Sequence, residues 1–408
     1  MEGITSTKFN VSGVQLDRPF KIRRLAHFGF NTGNMSASLK FYTDLFGFSI
    51  SDETELGWTI PDEAVRKSFA GETTGYFMRH GSDHHSFFIF PKRFIDYRSG
   101  PLVHDDMTVN HMTWQVGSLR EVTGAEDWFR ELNTSIDRSG RAGAGTNWQV
   151  YWRDPDEYMQ ELCYGIEQIG WNGLAKPKVF RKLRLKDKPD SPQKPEYEEV
   201  DAEFKEGLDL LDTYRYTSQL EAIYDVGGIM LPRPFKITRT GPVRLFVDDV
   251  ATTQSYYCDR LGMSVTEEVT YNGHRCVFLR VNTEHHSMAL YPRALRKELG
   301  LNEHTSCLSF GMQVGGYDQL RDAVSFFEGN EVEVKYLPPE LFPGIDYSAF
   351  AIDPDGHAIQ LYYYMEQIGW DGKPRPARKH PQVAGVWPDS VEPLSDTFGG
   401  EVRLGPLA

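Results

Sequence analysis

RPFKIRRLAHF, residues Arg18 to Phe28, returns 215 positions later as RPFKITRTGPV, Arg233 to Val243. A match of this length inside one chain marks a duplicated unit, and a repeat that goes unnoticed misreads the whole fold. The same shift relates FYTDLFGF from Phe41 to YYCDRLGM from Tyr256. DHHSFFIFPKRF from Asp83 is echoed by EHHSMALYPRAL from Glu284 at an offset of 201, and IEQIGWNG from Ile166 by MEQIGWDG from Met365 at 199. The order is kept while the offset falls, so the first copy carries the longer loops. The chain therefore divides into an N-terminal arm (1–17), a first copy (18–173), a charged linker with a helix (174–232), a second copy (233–372) and a Pro- and Gly-rich tail (373–408).

Bulk properties agree with two domains. A chain of 408 residues exceeds one ordinary core, and 40% hydrophobic with 13% aromatic and 25% charged residues is a globular composition. A net charge of -14 argues against nucleic acid as a partner, because a polyanion needs a basic surface. Cys163, Cys258, Cys276 and Cys307 form no C-x-x-C pair. The apolar runs fall far short of the ~20 residues that cross a bilayer. MEGITSTKFN has no basic segment followed by an apolar one, so a cytoplasmic, reducing location is expected, with no membrane partner.

Within a copy the periodicity alternates between strand and helix. RRLAHFGFNT reads as a strand, and NMSASLKFYTDLFGF as a helix capped by Asn34 or Ser36. GYFMRH and HHSFFIF follow as strands, and the order restarts at VNHMTWQVG with a helix over LREVTGAEDWFRELN. WQVYWRDP and YMQELCYG close the copy, with DPD read as turn chemistry between them. Each copy is thus two βαβββ modules. The expected class is α+β, in two tandem domains of two paired modules whose curved sheets form an open cup. GLDLLDTYRYTSQLEAIYDV (207–226) is expected to be helical, and the tail an extended arm with Trp387 and Phe398 available for packing.

Paired modules of this kind bring together the first strand of each module and the last strand of the second. Those strands carry His27, His111 and Glu161. Two imidazoles and a carboxylate form the facial triad of non-haem Fe(II) sites, and Mn(II) accepts the same set. A strand histidine alone is more often a satisfied core group, but a Glu between apolar neighbours needs a partner. In the second copy the three positions read Pro242, Ser309 and Gln360, so the whole donor set is lost at once.

With these residues the chain resembles the vicinal oxygen chelate superfamily (the glyoxalase/bleomycin resistance/dioxygenase fold), and within it the two-domain type I extradiol ring-cleaving dioxygenases. The resemblance implies Fe(II) at His27, His111 and Glu161, a catechol-type diol and O2 as partners, and a homo-oligomer. It implies a histidine acid–base group in HHSFFIF, where strand alternation would send His84 and His85 to opposite faces and His85 is favoured. It also implies that Tyr151, ten residues before Glu161, contacts the substrate. Two departures stand out: the familiar two-domain enzymes hold the metal in the C-terminal half, and the histidine expected nine residues before that tyrosine is Ala142, with His84 or His104 as possible substitutes. Such departures keep open a hydroquinone-cleaving enzyme, an isomerase or epimerase, or a non-catalytic protein that binds small aromatics.

Overall fold

The structure, a computed structural model, describes residues 8–100, 106–141, 145–181, 188, 195–375 and 387–391. The first sheet is built from β1 (Ile22–Thr32), β2 (Ser49–Glu55), β3 (Thr74–Arg79), β4 (Phe87–Pro91), β5 (Val109–Val116), β6 (Ile136–Gly140), β7 (Thr146–Arg153) and β8 (Met159–Ile166). Helix α1 (Met35–Lys40) follows β1 and α2 (Leu119–Glu131) follows β5, so each half is a βαβββ module. The spatial order is β2-β3-β4-β1-β5-β8-β7-β6. β1 pairs antiparallel with β5 at the module junction, and parallel with β4, while β5 runs parallel to β8.

Local chemistry accounts for the helices. The Asn34 side chain accepts the Ala37 amide at 3.1 Å, making Asn34 the cap. Ser118 caps α2, its hydroxyl accepting the Glu121 amide at 3.3 Å and donating to the Glu121 carboxylate at 3.1 Å, and the Leu119, Val122, Ala125 and Phe129 of this helix are buried. From Ala26 to Thr32, β1 is buried on both faces, as expected of a central strand with the concave side on one face and packed elements on the other.

After a connector helix α3 (Glu196–Glu206), the second sheet repeats the first. Its strands are β9 (Ile237–Val247), β10 (Ser264–Tyr271), β11 (His274–Arg280), β12 (Met288–Pro292), β13 (Cys307–Val314), β14 (Val334–Lys335), β15 (Ser348–Ile352) and β16 (Ala358–Tyr362), in the order β10-β11-β12-β9-β13-β16-β15-β14. One hydrophobic cluster runs through both halves. Phe28 stacks on Phe310 at 4.5 Å and Phe30 on His357 at 3.8 Å. The contacts are reciprocal: the Tyr42 hydroxyl donates to Asp353 at 2.7 Å and the Tyr257 hydroxyl to Asp154 at 2.6 Å. The aspartates of the two DPD segments therefore do more than shape their turns. Asp154 accepts the Asp156 and Tyr158 amides with one oxygen and bridges the domains with the other.

The expected helix at 207–226 is not formed. The helix lies earlier, at Glu196–Glu206, and stops at Gly207, which adopts φ 72°. The Tyr- and Thr-rich chain beyond it pairs with the start of the linker, the carbonyls of Asp212 and Tyr214 accepting the Lys178 and Ala175 amides, while Tyr214 and Tyr216 pack on the core. Trp387 packs near Tyr317, Tyr336 and Tyr347, while Phe398 and the N-terminal seven residues lie outside the described residues. Among the described residues no helix is long and apolar enough to cross a membrane.

Candidate metal centre

β1, β5 and β8 are neighbours, and their register decides what meets. His27 and Glu161 both pair with Thr113, one from each side, and His111 lies two residues away on the same strand face as Thr113. The three side chains converge in the concave surface. Glu161 Oε2 lies 3.0 Å from His27 Nε2, 3.2 Å from His111 Nε2 and 2.6 Å from the donating Thr113 hydroxyl. The three donor atoms fall within 4.8 Å of one another, and all three residues are buried.

Protonation states suit a cation. Burial opposes ionisation of Glu161, yet the imidazoles of His27 and His111 hold its carboxyl well below the usual range. Burial pushes the His111 imidazole down to about 4, against the pull of Glu161. His111 Nδ1 lies 2.7 Å from Asn110 Oδ1, and the Asn110 amide donates to Asn31 at 2.6 Å. That network places the proton on Nδ1 and leaves the lone pair on Nε2, the tautomer a metal ligand requires. The second carboxylate oxygen of Glu161 has no hydrogen-bond partner among the described residues. A neutral imidazole beside an ionised carboxylate with spare acceptor capacity fits a divalent ion.

Tyr151 is buried, and its spacing to Glu161 has a geometric cause. The two are direct partners across the β7–β8 hairpin, so they share one face. The Tyr151 ring meets His111 edge-on at 5.5 Å, and the Arg138 guanidinium lies over it at 3.8 Å from the ring centre. Phe88 stacks on His111 at 4.4 Å and leaves no room for a side chain at residue 29: a Cβ on Gly29 would fall 2.1 Å from that ring.

His84 and His85 depart from the expectation of opposite faces. They precede β4 in a bend anchored by the Asp83–Gln168 bridge, where strand alternation does not apply. Their Nδ1 atoms are 3.0 Å apart. The His85 ring lies 4.1 Å from that of His27, and burial, with His27 and His84 beside it, keeps His85 neutral. His84 turns towards Asp52 and Glu167, at 3.9 and 4.0 Å. Ala142 and His104 lie outside the described residues.

In the second sheet the same frame holds different contents. Arg244 pairs with Ser309 as Gly29 pairs with His111, and Gly311 with Gln360 as Thr113 with Glu161. Arg244 is wholly buried there. Its guanidinium donates to Gln360 Oε1 at 2.6 Å, Ser309 Oγ at 3.2 Å and His286 Nε2 at 3.0 Å, 4.9 Å from the Phe342 ring centre. Since His286 Nε2 accepts, its Nδ1–H donates to His285 at 3.0 Å, and His285 in turn donates to Glu267 at 3.0 Å. Two exchanges missed at the level of sequence make this possible: Arg244 replaces Gly29, and Ala289 replaces Phe88. The signal was there, an arginine inside the apolar run PVRLFV.

Among the cavities of the described residues, one of about 410 Å³ lies at the domain boundary beside the Arg24–Asp83 and Arg239–Glu284 pairs and is lined by none of the three donors. A cavity of about 260 Å³ opens onto His111 and is bordered by Arg138 and Arg153.

A model of the Glyoxalase/Bleomycin resistance protein/Dioxygenase superfamily matches residues 24–162 and 239–361. No curated protein gives a significant match. Similar solved structures include homoprotocatechuate 2,3-dioxygenase from Brevibacterium fuscum in complex with 3,4-dihydroxyphenylacetate (14% identity, TM-score 0.54, covering 88% of this chain and 85% of that one). The enzyme of the same name from Arthrobacter globiformis is 16% identical, with TM-score 0.54 and coverage of 88% and 84%. A Mn(II)-bound glyoxalase from Novosphingobium aromaticivorans is 11% identical, with TM-score 0.53 and coverage of 86% and 85%. At these identities the likeness is one of fold.

Proposed function

We propose that this chain, which belongs to the glyoxalase/bleomycin resistance protein/dioxygenase superfamily, is a non-haem Fe(II) dioxygenase that cleaves the ring of a catechol-type diol beside its two hydroxyls, with one metal per chain. The observation that carries the reading is the buried group of His27, His111 and Glu161, with donor atoms within 4.8 Å of one another, in a domain whose twin holds a guanidinium instead. Bound there, Fe(II) would supply Lewis acidity towards the diol and an electron path from the ring to O2.

The chain's own groups do the rest. His27, His111 and Glu161 hold the ion from one side and leave the other to the concave surface. Neutral His85, against His27, accepts a proton from the diol and returns it as the ring opens. His84, hydrogen-bonded to His85, fixes the orientation of that imidazole. The Tyr151 hydroxyl orients a substrate oxygen, and Phe88, stacked on His111, with Tyr151 edge-on to it, holds the plane of that imidazole. Both oxygen atoms enter a semialdehyde product.

Anaerobic loading with Fe(II), followed by a panel of catechols and hydroquinones in an oxygen electrode, tests the reading. Stoichiometric O2 uptake with a yellow product is expected, and an inert loaded protein would sink it. A metal-dependent isomerase or epimerase is the second reading, favoured by a Mn(II)-bound glyoxalase at nearly the same TM-score as the dioxygenases, 0.53 against 0.54. It predicts turnover without O2.

A further inference from the structure

Arg138 has no part in the donor group, yet it forms the next stretch of the same wall. His111 meets Tyr151 and Tyr151 meets Arg138, so a planar ligand with one edge at the donor group has its far edge beside this guanidinium. Arg138 is hemmed in by the concave surface but keeps more than a third of its surface open to solvent. It borders the 260 Å³ cavity that opens onto His111, a space suited to a single ring.

How Arg138 is held says what it can take. One face of the guanidinium is covered by the Tyr151 ring. Arginine has five donors in one plane, so the remaining edge is presented for a planar, bidentate acceptor. The other charges at the cavity are differently placed: Asp96 is bound by Lys92 at 2.7 Å, Arg153 donates to the Glu157 carbonyl at 2.8 Å, and Arg98 lies over Phe94. Asp137, next to Arg138 on β6, is exposed.

Resting on the ring-cleavage reading, we propose that Arg138 selects diols whose ring carries a carboxylate, by accepting that group on its open edge. The test is binding, measured anaerobically on Fe(II)-loaded protein by difference spectroscopy, with 3,4-dihydroxybenzoate and 3-(3,4-dihydroxyphenyl)propanoate against the neutral 4-methylcatechol. At least one carboxylated diol is expected to bind about tenfold tighter or more than 4-methylcatechol. Added salt should narrow that preference. Arg138→Gln should bring the ratio close to one while leaving iron content as it was.

Equal binding of charged and neutral diols by the native protein overturns the proposal and leaves ring cleavage standing. So does a preference that survives in Arg138→Gln, or one that collapses in Arg98→Gln or Arg153→Gln instead. Failure of every diol to bind overturns the ring-cleavage reading, and the assignment of Arg138 with it.

Discussion

Replacing Arg244 with Met should destabilise the second domain without touching the metal. The guanidinium serves three buried acceptors, Gln360 Oε1 at 2.6 Å, His286 Nε2 at 3.0 Å and Ser309 Oγ at 3.2 Å. Each acceptor left unpaired costs about 1–3 kcal/mol. Relief of the buried charge returns several kcal/mol, because desolvating a cation is expensive. A net loss of about 3 kcal/mol is the expected balance. For a domain of this size each kcal/mol lowers Tm by about 2–4 °C, so calorimetry should show a drop of roughly 6–12 °C. Arg244→Lys keeps the charge but loses the fork and should fall between the two. Metal analysis should give one ion per chain for all three proteins. If Arg244→Met matched the native protein in Tm, the guanidinium would not be what holds these acceptors, and its role as a substitute for an ion would fail.

Three further outcomes follow from the same geometry. His111→Ala should abolish metal retention in elemental analysis; unchanged iron content would show that the donor group is misassigned. Tyr151→Phe should keep the metal and lower kcat about 10- to 100-fold through loss of one hydroxyl at the substrate, and a native kcat would remove Tyr151 from the mechanism. Burial pushes Asp154 from its ordinary 3.8 up to about 7, despite its bond from Tyr257. The folded value lies above the unfolded one, so this contribution is full below about pH 4 and is lost as the pH rises through about 7. The stability of the native protein minus that of Asp154→Asn should therefore fall across that window by up to about 4 kcal/mol and flatten above it, and a flat difference in urea melts would contradict the shift.

Much of the architecture was legible because the repeat constrains it twice. One periodic segment is ambiguous between strand and helix, but two copies in the same order fix the module. The three donors could be read because they fall on strands that any pairing of such modules makes adjacent. What could not be read depends on side chains filling space. Gly29 and Phe88 exclude one another's alternatives, as Arg244 and Ala289 do, and neither exchange has a sequence signature without knowledge of which atoms face. His84 and His85 misled because a two-residue alternation was applied to a bend. The segment at 207–226 misled because its aliphatic Leu208, Leu211, Leu220 and Ile223 are exposed, and only Tyr214 and Tyr216 pack on the core, which an extended run allows.

The reciprocal bonds between the halves, Tyr42 to Asp353 and Tyr257 to Asp154, make the chain a dimer written as one polypeptide. A true homodimer is bound by symmetry: any change at one centre appears at both, so both keep the donor residues or both lose them. Fusion lifts that constraint. Each half can keep the surface its twin needs while its concave side evolves alone, which lets Gly29 and Arg244 stand at equivalent points of one molecule. A single His, His, Glu group beside a permanent scaffold is an asymmetry that two identical subunits could not have encoded.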